Sequence, residues 1–373
     1  LLDVVGEVAM GEMPDMTIRK NETVKIWTGG ALPEGADAVV MVEHTQELGP
    51  SAIEILKAVA PFDNVVRVGE DFRKGETLVP KGKRLRPADL GILAAIGQDR
   101  ISVHRKPCIA ILSSGDEIVP VDQEPPPGCM KDVNRYSLIG MTQEAYADPL
   151  WIGIAPDRLK DLQKMLDTAL DRADMVAISG GSSMGTRDYV IEALEARNDS
   201  EVLIHGVSIS PGKPLIMARV GKIPVVGLPG HPVSAMVCFD QFVVPLLRRL
   251  EGEDVVQPYG KRTVSAVLSR NVPSREGRED FVRVRIEDKS GTLTAVPVRA
   301  KSGMISSMVR AHGHLQISSD CEGLYRGDRV TVHLFSNWTE ENLETAYLSG
   351  HEASGQGAGD VFATPRQERL SRV

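Results

Sequence analysis

With 373 residues the chain is too long for one ordinary core and divides into two to four domains of roughly 100–200 residues each. Apolar residues make up 42% and charged residues 25%, as in soluble globular proteins, while an aromatic share of 4% points to aliphatic cores. A net charge of -8 argues against a broad surface for nucleic acid or anionic membrane and confines any anion site to a small, focused pocket.

Residues 1–83 alternate β-branched residues with Gly, Pro and Asp turns, as in "TVKIWTGGALPEGADAVVMVEHT" and "RVGEDFRKGETLVPKG", which predicts a β-rich domain with little helix. The opening "LLDVVGEV" reads as the middle of a strand and carries no start Met, so the chain is expected to be incomplete at its N-terminus. "LRPADLGILAAIG" then places Pro87 in a first helical turn, Gly97 at a helix stop, and Leu90, Leu93 and Ala94 on one face. It predicts a linking helix within 84–105.

From Lys106 the texture becomes strand, loop and helix in repetition: "CIAILSSGDEIV", a helix from about Ser137 to Tyr146, the strand "LWIGIA", the helix "DRLKDLQKMLDTALDRA", and the strand "DMVAIS". Short apolar runs separated by longer helical ones predict βαβ units around a mostly parallel sheet, here over 106–252. This domain closes with "IPVVGLPGHPVSAMVCFDQFVVPLLRRL", a buried strand, a Pro/Gly turn and one long helix ending in basic residues. Strand-like segments return in "KRTVSAVLSR", "DFVRVRIED", "TLTAVPVRA" and "DRVTVHLF", around a short helix near "SGMISSMVRA", and predict a small β domain over 253–337. The Gly- and Ser-rich tail, 338–373, reads as disordered. The fold class is therefore α/β plus β, with a central mostly parallel α/β domain flanked by a β-rich domain and a small C-terminal β domain. Cys108, Cys129, Cys238 and Cys321 show neither CxxC spacing nor a His grouping for zinc, and read as reduced thiols in a cytoplasmic protein. No apolar run matches a membrane helix, and no signal peptide is visible.

Open α/β sheets bind ligands at the carboxyl ends of their strands, where four loops of this chain are expected to gather. In "VAISGGSSMGTRDYV", Gly180, Gly181, Ser182, Ser183 and Gly185 can turn backbone N–H groups into an anion nest, with a helix beginning near Asp188 behind it. The turn matches neither GxGxxG nor a P-loop and can equally be an ordinary strand-to-helix loop. "SSGDE" places Asp116 and Glu117 at the same rim, as acceptors for ligand donors, as Mg²⁺ ligands or as exposed turn acids. In "SPGKP" a rigid bend presents Lys213 as a point charge for a phosphate, or as a plain surface lysine. In "GLPGHPVSA" Pro229 and Pro232 fix a bend ahead of a helix, and His231 is an acid or base candidate or a hydrogen-bonded loop residue. Asp157, in "GIAPDRL", reads as a helix N-cap. The "HGH" at His312–His314 lacks a third ligand and reads as structural.

Taken together, "TGGALPEGADAVV", "GED", "SSGDE", "ISGGSSMGTRDY", "SPGKP" and "GLPGHPVSA", in this order and spacing from residue 1 to about 337, resemble the molybdopterin molybdenumtransferase family, which includes the E domain of gephyrin. The resemblance implies insertion of molybdate into the dithiolene of adenylylated molybdopterin, with Mg²⁺ and release of AMP. It also implies a homodimer whose cleft joins the α/β domain of one chain to the β-rich domain of the other, with molybdopterin adenylyltransferase as a candidate partner and no nucleic acid or membrane. Residue by residue, it implies that Gly180, Gly181, Ser182 and Gly185 cradle the phosphate end and that Asp188 lies close to the metal. Glu117 and Asp157 would form the acidic part, Lys213 would meet an anion, Pro229 and Pro232 would shape the pterin or molybdate side, and Thr28, Asp71 and Ser306 would complete the cleft. Three departures stand out: an upstream "DGYA"-type segment with its aspartate is not in this stretch, His231 replaces a common asparagine, and Ser210 replaces a frequent lysine. A non-catalytic molybdopterin-binding or scaffold module on the same fold is the alternative, and a nucleotide-dependent adenylylating transferase is a third reading.

Overall fold

The computed structural model describes residues 1–180, 188–253, 262–289 and 291–335. The predicted tail lies outside them, as do Gly181, Ser182, Ser183 and Gly185. The chain forms two compact units, Leu1–Asp99 and a second beginning at Arg100.

The first unit holds strands β1 (Leu2–Val8), β2 (Glu22–Ile26), β3 (Thr45–Glu47) and β4 (Ala52–Ile55) in the order β2-β1-β4-β3. Strand β1 is parallel to β2 and antiparallel to β4, and its residues alternate between exposed and half-buried, the period expected of a sheet with one covered face. Helix α1 (Pro87–Ala95) has Pro87 in its first turn, where the missing N–H costs nothing. Of the apolar face read from the sequence, Leu93 is half-buried and Ala94 exposed. Leu90 is 55% exposed, whereas Asp89 is buried because its carboxylate accepts from Arg86 and from Lys83 Nζ at 2.6 Å. The same two cations, Arg86 first, hold the Asp89 carboxyl well below the usual range. An ion cluster, and not an apolar stripe, fastens this helix.

The second unit begins with β5 (Cys108–Ser114), the short pair β6 (Ile118–Val119) and β7 (Met130–Lys131), α2 (Val133–Glu144), β8 (Asp148–Ala155), α3 (Leu159–Leu170), β9 (Met175–Ser179) and α4 (Tyr189–Glu195). There follow β10 (Ser200–His205), β11 (Ile209–Ser210), β12 (Ile216–Val220), β13 (Ile223–Leu228), α5 (Pro232–Cys238), a π-turn at Phe239–Val243 and α6 (Val244–Leu250). Six strands make a sheet in the order β10-β12-β13-β9-β5-β8. The four from β13 to β8 are parallel, and β10 and β12 add an antiparallel edge. Strands β5 and β9 lie in the middle and are buried on both faces, which explains their unbroken apolar runs. One core packs α2, α5 and α6 on one face, around Leu138, Val233, Phe239 and Leu247; the other packs α3 and α4, around Leu162, Leu166, Val190 and Leu194.

Two expectations need correction here. Helix α2 starts four residues before the predicted Ser137, because Asp132 Oδ1 accepts from Arg135 N at 3.0 Å and caps it. Asp157 caps nothing: the residue before α3 is Arg158, and it makes no side-chain cap.

Strands β14 (Thr263–Leu268), β15 (Val272–Pro273), β16 (Glu279–Lys289) and β17 (Thr292–Pro297), helix α7 (Ser306–Val309), and strands β18 (Gly313–Ile317), β19 (Gly323–Leu324) and β20 (Arg329–Leu334) complete the unit. The sequence reading missed β18. Its pairing with both β20 and β16 closes β16-β17-β14-β20-β18 into a small barrel filled by Leu268, Val284, Ile286, Leu315 and Val332. Strand β11 pairs with β16, Ser210 opposite Asp280, and so ties the "SPGKP" turn to the barrel. All four cysteines are free. Among the described residues no helix is long and apolar enough to cross a membrane.

Candidate functional site

The carboxyl ends of β5, β8, β9 and β13 surround a cavity of about 540 Å³, lined among others by Ser113, Glu117, Asp132, Asn134, Asp157 and Gly180. Gly115, at φ +144°, leaves its side-chain position to the Glu117 carboxylate, which approaches to 2.5 Å of where a Cβ would stand. Asp116 and Asp157 hold each other's loops: Asp157 N donates to Asp116 Oδ1 at 3.1 Å and Asp116 N to Asp157 Oδ2 at 3.4 Å. Asn134 donates from Nδ2 to Ser179 Oγ at 2.6 Å and to the Gly230 carbonyl at 2.8 Å, joining the β9 end to the β13 end. Ser113 Oγ, Asp132 Oδ2 and Asn134 Oδ1 are buried at this rim without a partner. Sequence reasoning missed Asp132 and Asn134; an Asp two residues before an Asn at the start of an amphipathic run was the available signal.

Of the predicted nest, Gly180 is the described member, at φ +96° with its N–H donating to the Leu228 carbonyl at 3.1 Å. Asp188 serves as the N-cap of α4, its Oδ1 accepting from Val190 N at 3.1 Å and Ile191 N at 3.2 Å. Burial pushes its carboxyl upward, partly opposed by those N–H groups and by His205, whose Nε2 lies 3.7 Å from Oδ2. Asp188 is not among the residues lining the cavity. Asp188→Asn keeps a capping acceptor and is expected to melt with the wild type, whereas Asp188→Ala should cost about 1 kcal/mol, or roughly 2–4 °C; equal melting of the two would refute the capping role.

Strand β12 runs antiparallel to β13, so the turn that precedes it reaches the same rim. There a second, larger cleft of about 940 Å³ opens between the α/β part and the barrel, lined by the "SPGKP" turn and by β16 and its flanks. Lys213, Arg275, Arg278, Arg283 and Arg299 line it against the carboxylates of Glu276 and Asp280, an excess of cations. Arg278 is neutralised by buried Asp280 at 3.2 Å. Arg283 is not: only 9% exposed, it donates from Nη2 to the Ala300 carbonyl at 2.8 Å and leaves Nε and Nη1 without partners. Burial pulls its guanidinium below the ordinary arginine value. Lys213 is exposed and has no ion-pair partner among the described residues. A buried guanidinium facing no carboxylate is costly unless an anion completes it.

Pro214, Pro229 and His231 belong to the walls of both spaces. Pro232 is buried at the start of α5. Ser306 sits outside both linings at the start of α7, where its Oγ accepts from Arg310 Nη2 at 2.9 Å. Thr28 and Asp71 are exposed in turns of the first unit.

Among the described residues no three His, Cys, Asp or Glu side chains gather as a metal cage. Mg²⁺ is usually held by one or two carboxylates with phosphate oxygens and water making up the rest. The Glu117 and Asp157 carboxylates and the unpartnered Asp132 Oδ2 at one cavity are hard oxygen donors that fit this mode.

The model for the "MoeA N-terminal region (domain I and II)" matches residues 2–97, that for a "Probable molybdopterin binding domain" residues 110–249, and that for the "MoeA C-terminal region (domain IV)" residues 265–335. A Methanocaldococcus jannaschii protein named for molybdopterin biosynthesis is 34% identical over 85% of this chain and 77% of its own length. The molybdopterin molybdenumtransferase of Haemophilus influenzae is 30% identical over 90% of this chain and 83% of its own. A crystal structure of the MoeA protein from Pyrococcus horikoshii superposes with a TM-score of 0.72 at 35% identity, covering 90% of this chain and 82% of that one. The chain belongs to the molybdopterin molybdenumtransferase family, the MoeA enzymes of molybdenum cofactor biosynthesis.

Proposed function

We propose that this chain inserts molybdate into adenylylated molybdopterin with Mg²⁺-dependent release of AMP. The observation that carries the reading is the pair of spaces at one strand rim, one lined by carboxylates and one by cations, sharing a single wall. Molybdate is an oxyanion, and Lys213 with the unpaired guanidinium of Arg283 supplies the positive donors it needs. The pyrophosphate of the pterin nucleotide needs a cation beside the acids. Glu117 and Asp157, with Asp188 as the family resemblance implies, would hold Mg²⁺, which supplies charge neutralisation at phosphate oxygens. Gly180 and the turn that follows it would offer backbone N–H groups to the same phosphates. Asn134 keeps the two strand ends at a fixed spacing.

The cytoplasm is the expected compartment, and molybdopterin adenylyltransferase is the class of enzyme that must supply the adenylylated substrate. A homodimer is supported by the exposed apolar side chains of the first unit, among which Met13, Trp27, Val66 and Val68 are all more than half exposed. Thr28 and Asp71 would then act from the partner chain.

The test is AMP release from adenylylated molybdopterin, with and without molybdate and Mg²⁺, by the wild type and by Asp188→Asn, which retains the helix cap. Molybdate-dependent release that the variant loses supports the transferase reading. Binding of the pterin nucleotide with no AMP released under molybdate replaces it with the non-catalytic binding module.

A further inference from the structure

Resting on the transferase reading, we infer that His231 carries the protons of metal insertion across the wall between the two spaces. Among the described residues three line both the acid cavity and the basic cleft, and the other two, Pro214 and Pro229, have no side-chain proton to move. His231 is exposed, and its Nδ1 lies 3.1 Å from Ser302 Oγ. The loop bearing that serine is itself pinned to the first turn of α5, because Val233 N donates to the Ser302 carbonyl at 3.1 Å. With Nδ1–H donated to Ser302, Nε2 keeps the lone pair that can take a proton and return it.

The chemistry gives such a group two protons to carry in this chain. In the dithiol form of the pterin, two S–H bonds break, two Mo–S bonds form and one Mo–O bond breaks. Both protons leave with that oxygen as one water, and molybdenum stays hexavalent, so no oxidant or reductant enters. The protons start on sulfur and end on oxygen, one at a time through the imidazole. Among the described residues the other titratable groups flank this path without bridging it: Glu117, Asp132, Asp157 and Tyr189 line only the acid cavity. Lys213, Arg275, Glu276, Arg283, Arg299 and the Arg278–Asp280 pair line only the cleft. Ser302 is a positioning residue that acts through His231.

Single-turnover reactions of the full chain would be followed as pterin-bound molybdenum and, separately, as AMP, over about pH 5.5 to about pH 9, for the wild type, His231→Gln, His231→Asn and Ser302→Ala. The relay predicts that both His231 variants lose about 100-fold in molybdenum incorporation, with the KM for molybdate and the melting midpoint unchanged. They should also lose the pH limb shown by the wild type and regain part of the rate with added imidazole. Ser302→Ala should lose less and move that limb. A His231→Gln chain that inserts molybdenum at the wild-type rate and pH profile overturns the relay alone. A wild type that inserts none overturns the transferase reading, and the relay with it.

Discussion

Gly180→Ala is expected to melt roughly 6–12 °C below the wild type, from a loss of about 3 kcal/mol. The residue stands at φ +96°, where an L side chain costs about 1–2 kcal/mol. Its Cβ would also meet the Ser114 carbonyl oxygen at 2.1 Å and carbonyl carbon at 3.2 Å. Both obstacles are backbone, so no rotamer change relieves them, and overpacking adds about 1–3 kcal/mol. Gly221→Ala is the matched control, since Gly221 is also left-handed, at φ +54°, but has nothing within 4 Å of its Cβ position. Calorimetry on the two variants isolates the contact between the β9 end and the β5 end. Equal melting of the two would mean that the close approach to Ser114 carries none of the cost.

Arg283→Met should have effects of opposite sign on stability and on turnover. Removing a buried guanidinium with two unpartnered nitrogens in favour of an unbranched apolar chain of similar reach should stabilise the fold by about 1–2 kcal/mol. The same change should slow molybdate-dependent AMP release by about 10²–10³-fold, the range for loss of one preorganised donor to an oxyanion. Arg283→Lys restores charge but not the forked donor set, and should recover only part of the rate. Thermal melts and molybdate titrations read both effects. A variant no more stable and no slower than the wild type would show that Arg283 is neither an electrostatic burden nor an oxyanion donor.

The positions of the strand-end loops were legible in the sequence because β5 and β9 are buried on both faces and announce themselves as unbroken apolar runs. Once a parallel sheet is inferred, the loops after those runs must share a rim. What escaped has a common cause: it depends on partners distant in sequence. Arg283 looks like an ordinary outward residue of "DFVRVRIED"; it lies on the face of β16 away from the barrel core, the face of Phe281, which packs into the α/β core, and there it is buried. Asp157 has the sequence position of a cap, but its carboxylate is taken by the backbone of Asp116, 41 residues earlier. Leu90 fits a helical stripe, yet Asp89 is the residue turned inward, because Lys83 and Arg86 neutralise it. Asp132, by contrast, was within reach of local rules, and overlooking it moved the start of α2 and hid Asn134.

The single long helix read from "PVSAMVCFDQFVVPLLRRL" is two α-helical pieces joined by the π-turn at Phe239–Val243, where Val244 N donates to the Phe239 carbonyl. Pro245 follows immediately, in the first turn of α6. In an uninterrupted α-helix its ring would collide with the carbonyl of Gln241 and its missing N–H would break the ladder; a wider turn is a common way for a helix to absorb both. A π-turn contains one residue more than the α-turn it replaces. Insertion and proline therefore form an evolutionary pair: a descendant that deletes one residue here keeps both flanking faces on the core but strands Pro245 in mid-helix. Loss of the extra residue and loss of the proline should travel together through the lineage, leaving a one-residue gap in alignments beside a substituted proline.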